Sequence, residues 1–155
     1  MIDLQEGLIG PGAAGGHELL SHVYSPRSRP TVPGSFSMPT LANITDATFQ
    51  AEVLGSELPV LVDVWAVWCG PCKAIAPLVD TLAVDLEGGV RVVKADLNSF
   101  MSTARTYGVS SIPALMLFRG GKLLALRIGA GSSLDAVRAW ITECLGPSAV
   151  PPEQA

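Results

Sequence analysis

Between residues 45 and 145 the apolar side chains recur at two spacings, and each switch between them marks an element. "TDATFQAEVL" (45–54) carries Ala47, Phe49, Val53 and Leu54 mainly along one side and predicts a helix with Thr45 as its N-cap. "PVLVDVWAVW" (59–68) is a near-continuous run of β-branched and aromatic residues, the pattern of a strand covered on both faces. "CKAIAPLVDTLAVDLEGG" (72–89) returns to helical spacing, with Ile75, Leu78, Val79, Leu82 and Leu86 on the inner side and Gly88 and Gly89 as its stop. Within it Pro77 is expected to kink the helix and to affect shape alone. "VRVVKADL" (90–97) predicts a strand. "NSFMSTARTYG" (98–108) predicts a short helix capped by Asn98 or Ser99 and ended by Gly108. "ALMLFRGGKLLALRIG" (114–129) predicts two strands joined by a tight turn at Gly120 and Gly121. "SSLDAVRAWITECL" (132–145) closes the order as an amphipathic helix. Helix, strand, helix, strand, helix, hairpin, helix defines an α/β fold: a central mixed β-sheet, parallel crossovers first and an antiparallel edge after, with helices on both faces.

Composition sets the limits of this domain. Residues 1–39 form a Gly-, Pro- and Ser-rich segment: six glycines and five prolines fall in the first forty residues, too few large apolar groups to offset the entropy of ordering. It is expected to be a flexible tail. Asp3 and Glu6 stand where a secretory signal needs basic residues, and no long apolar run follows. Met38 is the one methionine between the start and residue 69, which makes it a candidate native start, with residues 1–37 dispensable. The domain is expected over 40–146, and 147–155 ("PSAVPPEQA") as a frayed C-terminus.

The whole chain has 155 residues, 48% apolar and 15% charged, with a formal net charge of −4. Such a balance lacks the basic footprint that nucleic acid or anionic membrane requires. Three cysteines are too few and too odd in number for a secreted disulfide scaffold. Two of them, Cys69 and Cys72, stand three apart in "WAVWCGPCK" (65–73). A zinc site needs four ligands, yet only Cys144 remains and both histidines, His17 and His22, lie in the tail, so no metal is expected. The same lack of histidine removes Cys–His hydrolysis.

"VLVDVWAVWCGPCKAIAP" (60–77), "SIPALMLFRGGK" (111–122) and "RIGAGS" (127–132) resemble the thioredoxins, in that order and at thioredoxin spacing, across residues 40–146. The resemblance implies the thioredoxin fold and a redox Cys-x-x-Cys beside a βαβ pattern, for which thioredoxin is the standard example. Cys69, at the junction of a strand and a helix, meets unpaired N–H groups and the positive dipole end, which favours its thiolate and makes it the nucleophile. Cys72, one turn on, is placed to close a disulfide with it and is the resolving thiol. A purely structural disulfide here would constrain the unfolded chain very little. Pro71 suits the first turn, and Gly70 leaves the approach to Cys69 open.

Asp63 interrupts the apolar "VLVDVW" run, so burial should raise its pKa and fit it to take the proton of Cys72. The resemblance assigns that base role to the buried Asp, with Lys94 beside it. It also implies that Pro113, after Ile112, is cis and faces the cysteines, that Trp68 flanks the site with Trp65 packed behind, and that Gly129 borders the docking surface. Val67 and Ala114 depart from the usual polar residues and are expected to make the rim more apolar. Cys144, in register with Leu134, Val137 and Ile141, is expected to be a small core residue, with regulatory oxidation as the alternative.

The chain is therefore expected to be a thiol-disulfide oxidoreductase that reduces protein disulfides, with no bound cofactor. The resemblance implies electrons from NADPH through thioredoxin reductase, disulfide-containing protein substrates, and a cytoplasmic monomer. Two alternatives stand beside it. One is a docking or chaperone-like module without turnover; the other is an oxidase or isomerase in an oxidising compartment.

Overall fold

In a computed structural model the described residues are 40–129 and 133–150. The expectations for the tail, for Met38 and for 151–155 lie outside them. Five strands form one sheet in the order β1-β3-β2-β4-β5: β1 Asn43–Ile44, β2 Val60–Trp65, β3 Arg91–Asp96, β4 Ala114–Arg119 and β5 Lys122–Ile128. β1 and β2 run parallel to β3, while β2–β4 and β4–β5 are antiparallel. Among the described residues three α-helices complete it: α1 Gly70–Asp85, α2 Leu97–Thr106 and α3 Leu134–Leu145. None of the described helices is long and apolar enough to cross a membrane.

Successive side chains of a strand point to opposite faces, and both faces here are apolar. Val60, Val62 and Val64 of β2 join Met116 and Phe118 of β4 in a core with Phe49, Phe100 and Ala104. Phe49 is its centre, with its ring edge-on to Phe100, Tyr107 and Phe118 at 5.6, 5.5 and 5.4 Å. The other face carries Leu61, Val92, Leu115 and Leu117 under Ile75, Val79 and Leu82 of α1 and Val137 and Ile141 of α3. The double covering explains why the β2 run lacks alternation.

Several local expectations are corrected. Residues 45–54 do not form one regular helix: a turn leads into a π-helical stretch, Gln50–Leu54, closed by Gly55 N–H donating to Gln50 C=O. Nor does Thr45 cap it through its own side chain; the Thr48 hydroxyl accepts the Thr45 N–H instead, at 2.9 Å. The cap of α2 is Asp96, whose carboxylate accepts from Asn98 N–H, rather than Asn98 or Ser99. α1 begins at Gly70, earlier than the apolar stripe suggests, and continues through Pro77 to Asp85. The two-residue strand β1 was too short to show any period. The stretch after residue 146 closes in a 3₁₀ turn, Pro147–Ala149, and Ala149 and Val150 pack, half-buried, on the α1–α3 core. The glycine hairpin is as expected: Gly120 and Gly121 both take positive φ, +57° and +77°, as a two-residue turn matched to strand twist demands.

One long-range contact holds the N-terminal turn to α2. Asp46 Oδ1 and Oδ2 accept the N–H groups of Thr103 and Ser102 at 2.8 and 3.1 Å, and Asp46 N–H donates to Ser99 C=O at 2.9 Å. Asp46 thus ties the N-terminal turn to backbone amides in the middle of α2. Burial alone would raise its pKa, but the hydrogen bonds from Thr103 and Ser102 outweigh it and the net shift is downward. A depressed folded pKa stabilises above the unfolded value of about 4 and loses that effect as pH falls through the folded one. Asp46→Ala should therefore cost about 1 kcal/mol at pH 7, the scale of an exposed hydrogen-bonded side chain. The gap from wild type should narrow as pH falls below 4, measured by urea unfolding; a pH-independent gap would contradict the carboxylate's part.

Candidate active site

Where β2 ends and α1 begins, the chain turns through Ala66, Val67 and Trp68 into Cys69. Cys69 is the N-cap of α1, with extended backbone, and the N–H of Cys72 donates to its Sγ at 3.2 Å. The first turn of a sixteen-residue helix thus presents a donor and its dipole to one sulfur, which favours negative charge there. Cys69 and Cys72 are joined by a disulfide with Cα atoms 5.3 Å apart. Both are buried, packed with Ala66, Trp65, Leu97 and Ile112. Pro71 occupies the first turn, where its missing N–H costs nothing. A Cβ at Gly70 would meet no atom within 4 Å, so glycine there is not demanded by packing and leaves open space beside the sulfurs.

The neighbouring loops converge on this pair. The Ile112–Pro113 peptide is cis, Pro113 is buried, and its carbonyl accepts the N–H of Gly129 at 2.9 Å. Gly129 has φ +102°, a conformation that side-chain-bearing residues rarely adopt. Trp68 is 65% exposed beside the cysteines, while Trp65 lies half-buried behind them. Val67, 58% exposed, adds apolar surface. Ala114 does not: it is buried in the Phe49 core, since strand alternation turns it to that face.

Asp63 lies on the other face of β2, the one that carries Leu61 and is covered by the inner stripe of α1, Cys72, Ile75, Val79 and Leu82. It is 2% exposed, and its Oδ1 has no hydrogen-bond partner. Burial raises its pKa to about 6; the Lys94 ammonium opposes the rise and the Asp80 carboxylate adds to it. Lys94 sits directly across from Asp63 in the β2–β3 register, with its Nζ over the Trp65 ring, 5.7 Å from the centroid. Asp80 escaped the sequence reading, although it follows Cys72 and Ala76 at steps of four along α1 and so shares their side of the helix. Cys144 is half-buried against the α1–α3 core, and burial, then Glu143, push its thiol up, which makes it less reactive.

A cleft of about 420 Å³ opens beside Trp68, between α2 and the loop before Pro113. Trp68, Leu97, Met101, Val109 and Ile112 form its apolar walls. Arg105, Ser110 and Ser111 supply its polar part. Sequence reading had found only Trp68 and Ile112 of this set, because the α2 residues carry no motif and reach the site through packing. Among the described residues no group of three or more His, Cys, Asp or Glu could hold a metal.

A buried disulfide-bonded cysteine pair at a helix N-terminus, beside a desolvated carboxyl and an open apolar cleft, defines a thiol–disulfide exchange site. Comparison with known proteins agrees. The Thioredoxin family model matches residues 40–143. The chain is 48% identical to "Thioredoxin 1" of Nostoc sp. over 93 residues, which is 60% of this chain and 87% of that protein. It is 50% identical to "Thioredoxin C-2" of Corynebacterium nephridii over 91 residues, 59% of this chain and 84% of that protein. It is 48% identical to "Thioredoxin" of Pseudomonas aeruginosa over 90 residues, 58% of this chain and 83% of that protein. The chain belongs to the thioredoxin family. It is a thiol-disulfide oxidoreductase of the protein-disulfide reductase kind, and the family works with thioredoxin reductase and disulfide-bearing substrates.

A carboxyl whose folded pKa lies above its unfolded one costs the native state nothing while protonated in both states. The cost grows as pH climbs from about 4 to about 6 and is constant above. Asp63→Asn removes it. Urea unfolding of the oxidised proteins should find the variant more stable than wild type at pH 8 by about 2–3 kcal/mol and the advantage gone below pH 4. An advantage of the same size at both pH values would show that shape, and not ionisation, is responsible.

Proposed function

We propose that the chain reduces protein disulfides with Cys69 as nucleophile, Cys72 as resolving thiol and Asp63 as general base. The observation that carries the assignment is the hydrogen bond from Cys72 N–H to Cys69 Sγ at the N-terminus of α1, which favours the thiolate at Cys69 over Cys72. In the reduced protein the Cys69 thiolate attacks one sulfur of the substrate disulfide; that S–S bond breaks and the other substrate sulfur leaves as a thiol after taking a proton. Cys72 then passes its proton to Asp63 and attacks Cys69 Sγ. The mixed disulfide breaks, the second substrate sulfur leaves, and the Cys69–Cys72 disulfide remains. The substrate gains two electrons and the cysteine pair loses two.

Desolvation of Asp63 supports its part, because a carboxyl with a pKa of about 6 can both accept and return a proton near neutral pH. Lys94, Trp65 and Asp80 position and tune that carboxyl without touching substrate. Trp68, Gly70, Pro71, Ile112, Pro113 and Gly129 form the surface on which an extended substrate segment lies. The spent pair is regenerated by thioredoxin reductase with electrons from NADPH, and the chain works as a cytoplasmic monomer. The family and its relatives support this setting.

Cys72→Ser should trap substrate proteins on Cys69 as mixed disulfides separable by reducing gel electrophoresis, and Cys69→Ser should trap none. Equal trapping by both variants would reverse or void the assignment and favour a docking module without turnover. In single-turnover experiments on a preformed mixed disulfide, Asp63→Asn should slow release about a hundredfold near neutral pH, the low end for a lost general base. Wild-type release should rise through pH 6 as Asp63 ionises. The same pH profile in the variant would remove Asp63 from the proton path.

A further inference from the structure

The cleft beside Trp68 carries one charge. Its walls are apolar, with Met101 38% and Trp68 65% exposed, and its polar lining residues are Ser110, Ser111 and Arg105. No carboxylate lines it. Arg105 stands in the last turn of α2, exposed to solvent, while the ion pairs Arg91–Glu52 and Arg138–Asp85 lie elsewhere. A cation in a helix's last turn suits the helix dipole, but that does not require it to line a cleft. An open apolar surface with one uncompensated cation is complementary to a segment that offers an apolar side chain next to a carboxylate.

We propose that this cleft selects among substrates, taking the residues on one flank of the attacked cysteine and preferring an apolar residue followed or preceded by Asp or Glu, with Arg105 as the specificity-determining residue. The proposal rests on the exchange reading above. Trp68, which precedes Cys69 in the chain, lines the cleft, and Leu97 and Ile112 pack on the cysteine pair while also lining it. A substrate segment docked on the cysteine pair reaches the cleft across these shared residues, with the part of it that flanks the attacked cysteine. Arg105 touches no reacting atom; it acts on the affinity for the segment and hence on kcat/KM. The covalent step is the disulfide exchange already described.

The test uses the full chain, dithiothreitol as electron donor, and four extended peptides, each with a cysteine held as a disulfide to a reporter thiol. In one pair the residues two and three positions before the cysteine are Leu-Glu or Leu-Lys; in the other pair they follow it. Wild type should show about a threefold higher kcat/KM for the Glu peptide in one of the two pairs, the scale of an exposed ion pair, and the ratio should shrink with added salt. Arg105→Gln should remove the preference and Arg105→Glu should invert it. Exchanging Leu for Ser in the favoured peptide should lower kcat/KM about threefold, the scale of burying part of one apolar side chain. Equal rates for Glu and Lys on both flanks, or a preference that survives Arg105→Glu, overturn the charge selection. An unchanged rate with Ser overturns the apolar part. Failure to reduce any peptide overturns the exchange reading itself, a result distinct from reduction without preference.

Discussion

Covering a sheet on both faces leaves its middle strands without water, and the rest of this structure follows from that dryness. In β2 five of the six residues are apolar or aromatic, and the sixth is Asp63, 2% exposed with an oxygen that lacks a partner. An ionised carboxylate there is costly, so the group holds its proton to a pH of about 6. A fold built for stability alone would place Val or Leu at this position. The desolvated acid is instead a source of proton chemistry near neutral pH.

The same boundary that ends the dry strand makes the reactive sulfur. β2 stops at Trp65, and within five residues α1 begins with the Cys72 N–H of its first turn donating to Cys69 Sγ. The strand and the helix thus contribute opposite electrostatics to one short segment. Dry surroundings hold a proton on the acid, whereas the helix terminus removes one from the thiol. Their separation along the chain is six residues, so the geometry needs no long-range adjustment to persist. Lys94 and Asp80 act on Asp63 with opposite signs, from the neighbouring strand and from the helix above. Trp65 adds a second buried polar atom without a partner, its Nε1, beneath the cysteines. Unsatisfied groups of this kind gather at working sites, where stability is given up locally and recovered in cores such as the one around Phe49.

The pattern of residues 59–145 by itself determined the element order from β2 onward, the covering of both sheet faces, the glycine hairpin and the Cys-x-x-Cys at a strand-to-helix junction. Each is a local property: side-chain spacing within one element, or a turn whose residues need positive φ. The depth of Asp63 was legible for the same reason, since its immediate neighbours are apolar on both sides. Other features depended on residues distant in sequence. The carboxylate of Asp46 accepts the backbone N–H groups of Ser102 and Thr103, more than fifty positions on, and no local pattern announces it. Ala114 read as rim and proved to be core because the register of β4 decides which way it points. The wall of the cleft, with Met101 and Arg105, carries no motif, and only the packing of α2 beside the Trp68 loop brings it to the cysteines. Local spacing encodes elements and their chemistry; which side chains of separate elements meet is decided by how the two cores exclude water, and that is a property of the assembled sheet alone.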